Sequence, residues 1–221
     1  MRLYRAFATV GGVTMLSRIL GFVRDIMIAS ALGAGLVADA FFAAFQIPNL
    51  FRRLFAEGAF NSAFVPLFAK RLETEGRASA REFAERVMAA LLALLLTLTV
   101  LAEIAMPWLV PLFAPGFLDN PEKFDLTVLM TRICFPYLAC MSLVALLSGI
   151  LNTEGRFAVA TAVQVLLNVV LIIVMGFVFY AGLGNRPEAG IVLAWGVAVA
   201  GLLQLLWLAI AVYRLDMGLG F

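Results

Sequence analysis

The stretch Ser17-Arg18-Ile19-Leu20-Gly21-Phe22-Val23-Arg24-Asp25 lies in the middle of a run that is otherwise apolar and long enough to cross a bilayer. Charges at that depth cost roughly 3 kcal/mol each on insertion scales, and they persist only where they face a bundle interior or a wet cavity. A second apolar run carries Asn49, Arg52, Arg53 and Glu57 near its own middle. Together the two runs describe a helical membrane protein with a charged site inside it.

Composition agrees. Of the 221 residues, 64% are hydrophobic and 14% are charged, whereas a soluble domain carries about 25% charged residues. The fold class expected is all-α integral membrane, a six-transmembrane-helix bundle. Its spans fall at about 7–32, 37–70, 85–113, 125–152, 157–183 and 189–213. Turn chemistry separates them: Gly33-Ala34-Gly35, the polar and helix-prone stretch Glu73 to Arg86, Pro115-Gly116 with Asp119-Asn120-Pro121, Asn152 to Arg156, and Gly184-Asn185-Arg186-Pro187. Arg2 and Arg5 with Ala29-Ser30-Ala31 imitate a secretory signal. The run is too long and too charged for one, and it reads as a retained first helix.

Basic residues orient the bundle. Lys70, Arg71, Arg77, Arg81, Arg86, Arg156 and Arg214 fall with Arg2 and Arg5 on one side, and only Lys123 and Arg186 lie in the loops of the other. The excess marks the cytoplasmic side, with the N-terminus and residue 221 both inside. Trp108, Tyr4 and Tyr213 suit interfacial anchoring, and Trp207 reads as packing. Glu103 and Arg132 sit near span ends and read as snorkelling or capping residues.

The chain has no histidine, which excludes His-based triads, HExxH zinc sites and histidine proton relays. Cys134 and Cys140 lie in an apolar helix and read as packing. No enzyme chemistry, cofactor, metal site or nucleic-acid partner is called for.

Depth brings the charges together. Arg18 and Arg24 lie within about 6 Å of the first span's midpoint, and Arg52 and Arg53 at that of the second. The short turn between these spans makes them antiparallel neighbours, so their arginines are expected at one level. A second span of about 34 residues, roughly 50 Å, exceeds a core near 30 Å and must tilt or bend, with Pro48 and Pro66 as bend points. Arginine cannot deprotonate, and its planar fork matches phosphate oxygens. A positive excess therefore predicts an anionic ligand, most naturally a phosphate or pyrophosphate. Asp25 and Asp39 are expected to compete for the arginines when the site is empty. Arg24 and Asp25, being adjacent, are not expected to share a face, while Arg53 and Glu57 have the i,i+4 spacing of an ion pair. Asn49 and Ser17 are further polar positions at this depth, and Gln164, Asn168 and Gln204 are possible cavity-lining residues in later spans.

The run from Ser17 to Asp25 resembles the MurJ (MviN) family of bacterial lipid II flippases. The likeness continues through Gly33-Ala34-Gly35, Asp39-Ala40-Phe41-Phe42, Ile47-Pro48-Asn49-Leu50, Arg52-Arg53, Phe55-Ala56-Glu57-Gly58-Ala59-Phe60 and Ala63-Phe64-Val65-Pro66. Later pieces are also similar: Ala114-Pro115-Gly116-Phe117, Phe135-Pro136-Tyr137, Ile150-Leu151-Asn152-Thr153 and Leu167-Asn168. The resemblance implies one lobe of a two-lobed multidrug/oligosaccharidyl-lipid/polysaccharide exporter-type transporter. Its role would be peptidoglycan biosynthesis in the bacterial cytoplasmic (inner) membrane. The implied substrate is lipid II, the undecaprenyl-pyrophosphate-linked disaccharide-pentapeptide, carried between leaflets by alternating access among membrane lipids. The resemblance implies substrate-binding roles for Arg18, Arg24 and Arg52 and a gate region at Ser17, Arg24, Asp25 and Asp39; from their depth and spacing alone, Asn49 and Arg53 join the expected substrate-binding residues and Glu57 the gate. Phe157 to Val163 lacks prolines that many relatives carry, which leaves a bend there in doubt. Family members run much longer, so the chain reads as the N-terminal lobe, with the C-terminal lobe as its missing partner and no transport expected of it alone. The weighed alternatives are an exporter of another polyprenyl-pyrophosphate oligosaccharide and a non-transporting scaffold for anionic lipids.

Overall fold

Backbone polar groups inside a bilayer must be satisfied within the segment, and every regular element among the described residues is helical. The computed structural model describes residues 2–52 and 60–215, with side chains at 9–50 and 62–215. The helices are α1 (Arg2–Leu32), α2 (Leu36–Arg52), α3 (Phe60–Thr74), α4 (Gly76–Phe113), α5 (Pro121–Cys134), α6 (Tyr137–Thr153), α7 (Phe157–Tyr180) and α8 (Pro187–Tyr213). A 3₁₀ turn, Pro115–Phe117, links α4 to α5.

Among the described residues, four segments are long and apolar enough to cross a membrane: Gly76–Phe113, Pro121–Thr153, Phe157–Tyr180 and Pro187–Tyr213. Leu36–Leu50 is a shorter apolar helix. The 31-residue α1 has the length but carries Arg18, Arg24 and Asp25. The chain is therefore a multi-pass membrane protein.

Three boundaries differ from expectation for local reasons. The stretch expected at 37–70 comprises α2 and α3, each holding one of its prolines, Pro48 and Pro66. The polar linker before the third span is itself helical, so α4 starts at Gly76. The fourth span is broken into α5 and α6 at Phe135-Pro136, because proline has no N–H to continue the ladder. The chain resumes through Leu138 N–H donating to the Phe135 carbonyl at 2.9 Å. At the doubtful start of the fifth span, α7 runs helical from Phe157.

α6 is the hub, with nearly every side chain from Tyr137 to Leu151 buried. α8 packs on it, on α5 and on α7, while α2 lies along α5. Hydrocarbon tails are as apolar as leucine, so helices in a bilayer associate through close packing at small residues. Gly201 does this on α8, where a Cβ would come within 2.7 Å of the Tyr137 ring. α4 turns an apolar face outward through Leu94, Leu101, Ile104 and Trp108. Cys134 and Cys140 are free and buried.

Polar contacts identify the two ends of the bundle. At one end Arg77 donates to Glu154 Oε2 and to the Leu215 carbonyl, both at 3.2 Å. This end gathers the turns rich in arginine. At the other end the α1–α2 turn docks on the α7–α8 turn, where Asn185 N–H donates to the Ala31 carbonyl at 2.8 Å. Gly33 there has φ +65, and a Cβ on it would lie 2.4 Å from Asn185 Oδ1. Gly35, two residues on, faces open space. Gly33→Ala should therefore lower stability by more than ~1 kcal/mol, whereas Gly35→Ala leaves it unchanged. Thermal unfolding in detergent, read side by side for the two variants, checks this.

Candidate functional site

α1 is the outlying helix of the bundle. It packs along α7 and meets α2 only slightly, so the expectation that the first two spans are antiparallel neighbours is not met. The clamp at Gly33 and Asn185 explains why: it ties α1 to the α7–α8 turn, while α2 departs to pack on α5. The partly buried positions on α1, Val10, Val13, Ser17, Leu20, Gly21, Arg24 and Met27, recur at helical spacing. They form the stripe against α7. Met15, Ile19, Phe22 and Ile26 form an exposed apolar arc.

Arg24 is the best-held charge of this site. Its Nε and Nη2 donate to Asp25 Oδ1 at 2.9 and 2.7 Å, and its Nη1 donates to Asn168 Oδ1 at 2.8 Å. Its side chain is only 22% exposed, against 64% for Asp25. The adjacent pair was not expected to meet, but the long arginine side chain spans the angular gap. Asn168 on α7 is buried, and its Nδ2 donates to the Ser17 carbonyl at 2.8 Å and to Ser17 Oγ at 3.3 Å. One amide thus fixes both the arginine and the helix that carries it. A guanidinium has five N–H donors, and these three bonds leave two for a ligand.

Arg18 is exposed on α1, on the face it shares with Asp25 at i,i+7. Among the described residues no ion pair or hydrogen bond holds its side chain, which leaves its whole fork available. Asn49 is half-buried on α2 and has an interaction partner. Arg52 is the last residue of α2. Its side chain lies outside the described residues, as do Arg53 and Glu57 entirely.

Asp39 has a different partner from the one expected. It sits in the first turn of α2 and pairs with Lys123 Nζ at 2.6 Å. The same ammonium lies 4.1 Å from the centre of the Phe117 ring. Asp39 therefore binds the first turn of α5 at the end opposite Arg77, and among the described residues it makes no ion pair with Arg18 or Arg24. Glu103 and Arg132 do not snorkel apart: Arg132 Nε donates to the Glu103 carbonyl at 3.2 Å and lies 3.9 Å from its carboxylate, joining α4 to α5. Gln164 is exposed, while Gln204 is fully buried and donates to the Val163 carbonyl at 2.8 Å.

Two parts of the site escaped the sequence reading. Asn168 was weighed only as cavity lining, and Lys123 only as a loop charge. A carboxamide deep in an apolar helix needs a partner, which was the available signal for Asn168. What it could not name was the partner, since that depends on α1 lying against α7.

Replacing Asn168 by Leu removes the Arg24 acceptor and the Ser17 clasp together. The loss should be about 1.5–3 kcal/mol, the range for a bond to a charged group. Gln164→Leu, one turn away and exposed, should be near neutral. Comparing the two melting temperatures in detergent checks the asymmetry.

Comparison with known proteins adds the following. A family model described as lipid II flippase MurJ matches residues 28–220. A protein of Rhizobium meliloti (strain 1021) named "Probable lipid II flippase MurJ" is 51% identical over 222 residues, covering 100% of this chain and 41% of that protein. A Burkholderia cenocepacia protein named "Lipid II flippase MurJ" is 41% identical, covering 98% of this chain and 41% of its own length. A solved structure, "Lipid II flippase MurJ, inward closed conformation", superposes with a TM-score of 0.74 at 25% identity, over 93% of this chain and 42% of that one. The chain thus spans about two-fifths of the length of the curated relatives it matches. The relatives' alignments reach across Ser17 to Asp25, which the family model leaves outside its match.

Proposed function

The chain belongs to the lipid II flippase MurJ family, and we propose that it is the N-terminal lobe of such a flippase, moving lipid II across the bacterial inner membrane by alternating access. In this reading the lobe crosses the membrane six times, with α1 and the α2–α3 stretch as the first two crossings. The arginine-rich end carrying Arg77, Arg156 and Arg214 is cytoplasmic, as the distribution of basic residues in short loops favours. Both the N-terminus and residue 221 lie on that side.

The observation that carries the proposal is the state of Arg24. It is held in place by Asn168, is only partly satisfied by Asp25, and keeps two donors free. Arg18 and Arg52, with Asn49 and Arg53, would add positive charge around a pyrophosphate. The fork of arginine suits this group because its donors match two phosphate oxygens at once. Asp25 serves as a stand-in anion: it neutralises Arg24 when the site is empty and is displaced when the doubly charged pyrophosphate arrives. Ser17, Asp25, Asp39 and Glu57 act as gate residues. Asp39 does so from the outer rim, where breaking its pair with Lys123 would free the start of α2 from the first turn of α5. Differential affinity of lipid II for the inward- and outward-open forms drives the cycle.

The test replaces Arg24 by Ala, and separately by Lys, in the full-length protein at matched expression, in cells depleted of their own lipid II flippase. Failure of both to restore growth is the expected outcome, because lysine supplies charge without the fork. Rescue by Lys alone reduces the role of Arg24 to charge. Growth with the Ala variant contradicts a role for Arg24 in holding the substrate.

A further inference from the structure

A second charged site lies at the arginine-rich end, away from Arg24. The turn between α6 and α7 and the last turns of α8 enclose a cavity of about 570 Å³. Arg156 and Arg214 line it, together with Val159, Trp207 and Ile210. Both arginines are exposed, and among the described residues neither is held by an ion pair or a side-chain hydrogen bond. The nearby carboxylate, Glu154, is 13% exposed and engaged by Arg77 at 3.2 Å, so it does not neutralise them.

The cavity is polar at one end and apolar along its length. Arg214, Ile210 and Trp207 succeed one another at i, i−4 and i−7 on α8, so the wall runs roughly 10 Å from the arginine toward the membrane interior. Trp207 and Ile210 are 48% and 45% exposed, so this wall faces outward. Trp207 was expected as packing. Instead its Nε1–H donates to the Val159 carbonyl at 3.4 Å, which stands the indole across the α7–α8 seam. Another crevice, of about 430 Å³ between α4, α6 and α8, has no charged side chain in its lining.

We propose that this cavity holds an anionic phospholipid, with its phosphate between Arg156 and Arg214 and the start of an acyl chain along Val159, Ile210 and Trp207. Two guanidiniums without an ion-pair partner among the described residues select a net negative head, and the apolar wall below them selects a chain over a free ion. Bound there, the lipid joins the α6–α7 turn to the end of α8. The site is independent of the arginines assigned to lipid II.

Native mass spectrometry of the full-length protein in detergent tests this with three probes: dioleoyl phosphatidylglycerol, dioleoyl phosphatidylcholine and inorganic phosphate. The first should bind more tightly than the second. Arg156→Gln/Arg214→Gln should weaken it by up to ~30-fold, the effect of about 1 kcal/mol for each arginine near the surface, with phosphatidylcholine unaffected. A second readout uses phosphatidylglycerol brominated on its acyl chains, which should quench the part of the fluorescence that Trp207→Phe removes. Equal binding of the two lipids, unchanged affinity in the double variant, or displacement of the lipid by inorganic phosphate at equal concentration would each overturn the proposal.

Discussion

A guanidinium cannot shed its proton to escape a low dielectric, so a charge such as Arg24 must be given partners where it stands. The seam between α1 and α7 is built around that requirement. Asp25 supplies the countercharge from the same helix, and Asn168 supplies a neutral acceptor from the opposite one. Because Asn168 also clasps Ser17, the amide that satisfies the charge is the one that seats the helix. Only part of the donor set is consumed. Three of the five N–H groups of Arg24 are bonded and two are not.

The rest of the lobe keeps α1 in that position. α6 and α8 form the inner pair, packed through glycine against ring and aliphatic side chains. α1 stays outside this core, attached through α7 and through the turn where Gly33 meets Asn185. The outward face of α1 mixes apolar and charged side chains: Phe22 stands between Arg18 and Asp25 at i+4 and i−3, with Ile19 and Ile26 beside it. Opposite ends of the bundle are fastened by different chemistry: Arg77 with Glu154 at one, and Asp39 with Lys123 at the other.

Much of this was legible in the sequence. Apolar length gave the helices, and charges at mid-span singled out Arg24 as a group that needs partners, because both follow from the cost of burying polarity in lipid. Adjacency was less legible. A short turn implies neighbouring helices, but at Gly33 the turn is itself docked on Asn185, and α1 is drawn to α7 while α2 goes to α5. Asp39 was assigned to the arginines because only depth along the helix could be read. Its proximity to Lys123, 84 residues away, depends on how α5 stacks on α2. The break at Pro136 was visible in principle, since proline cannot continue the ladder, but the apolar residues on both sides masked it.

The central claim is that Asp25 holds the place of the substrate's phosphate on Arg24. The affinity of the full-length protein for lipid II, measured with Asp25→Asn beside the unsubstituted protein, tests it most directly. If the carboxylate is a competitor, its removal should tighten binding, by up to about fivefold given the modest worth of an exposed pair. Unchanged or weaker binding would mean that Asp25 positions Arg24 or serves a structural role, and would contradict the exchange on which the account rests.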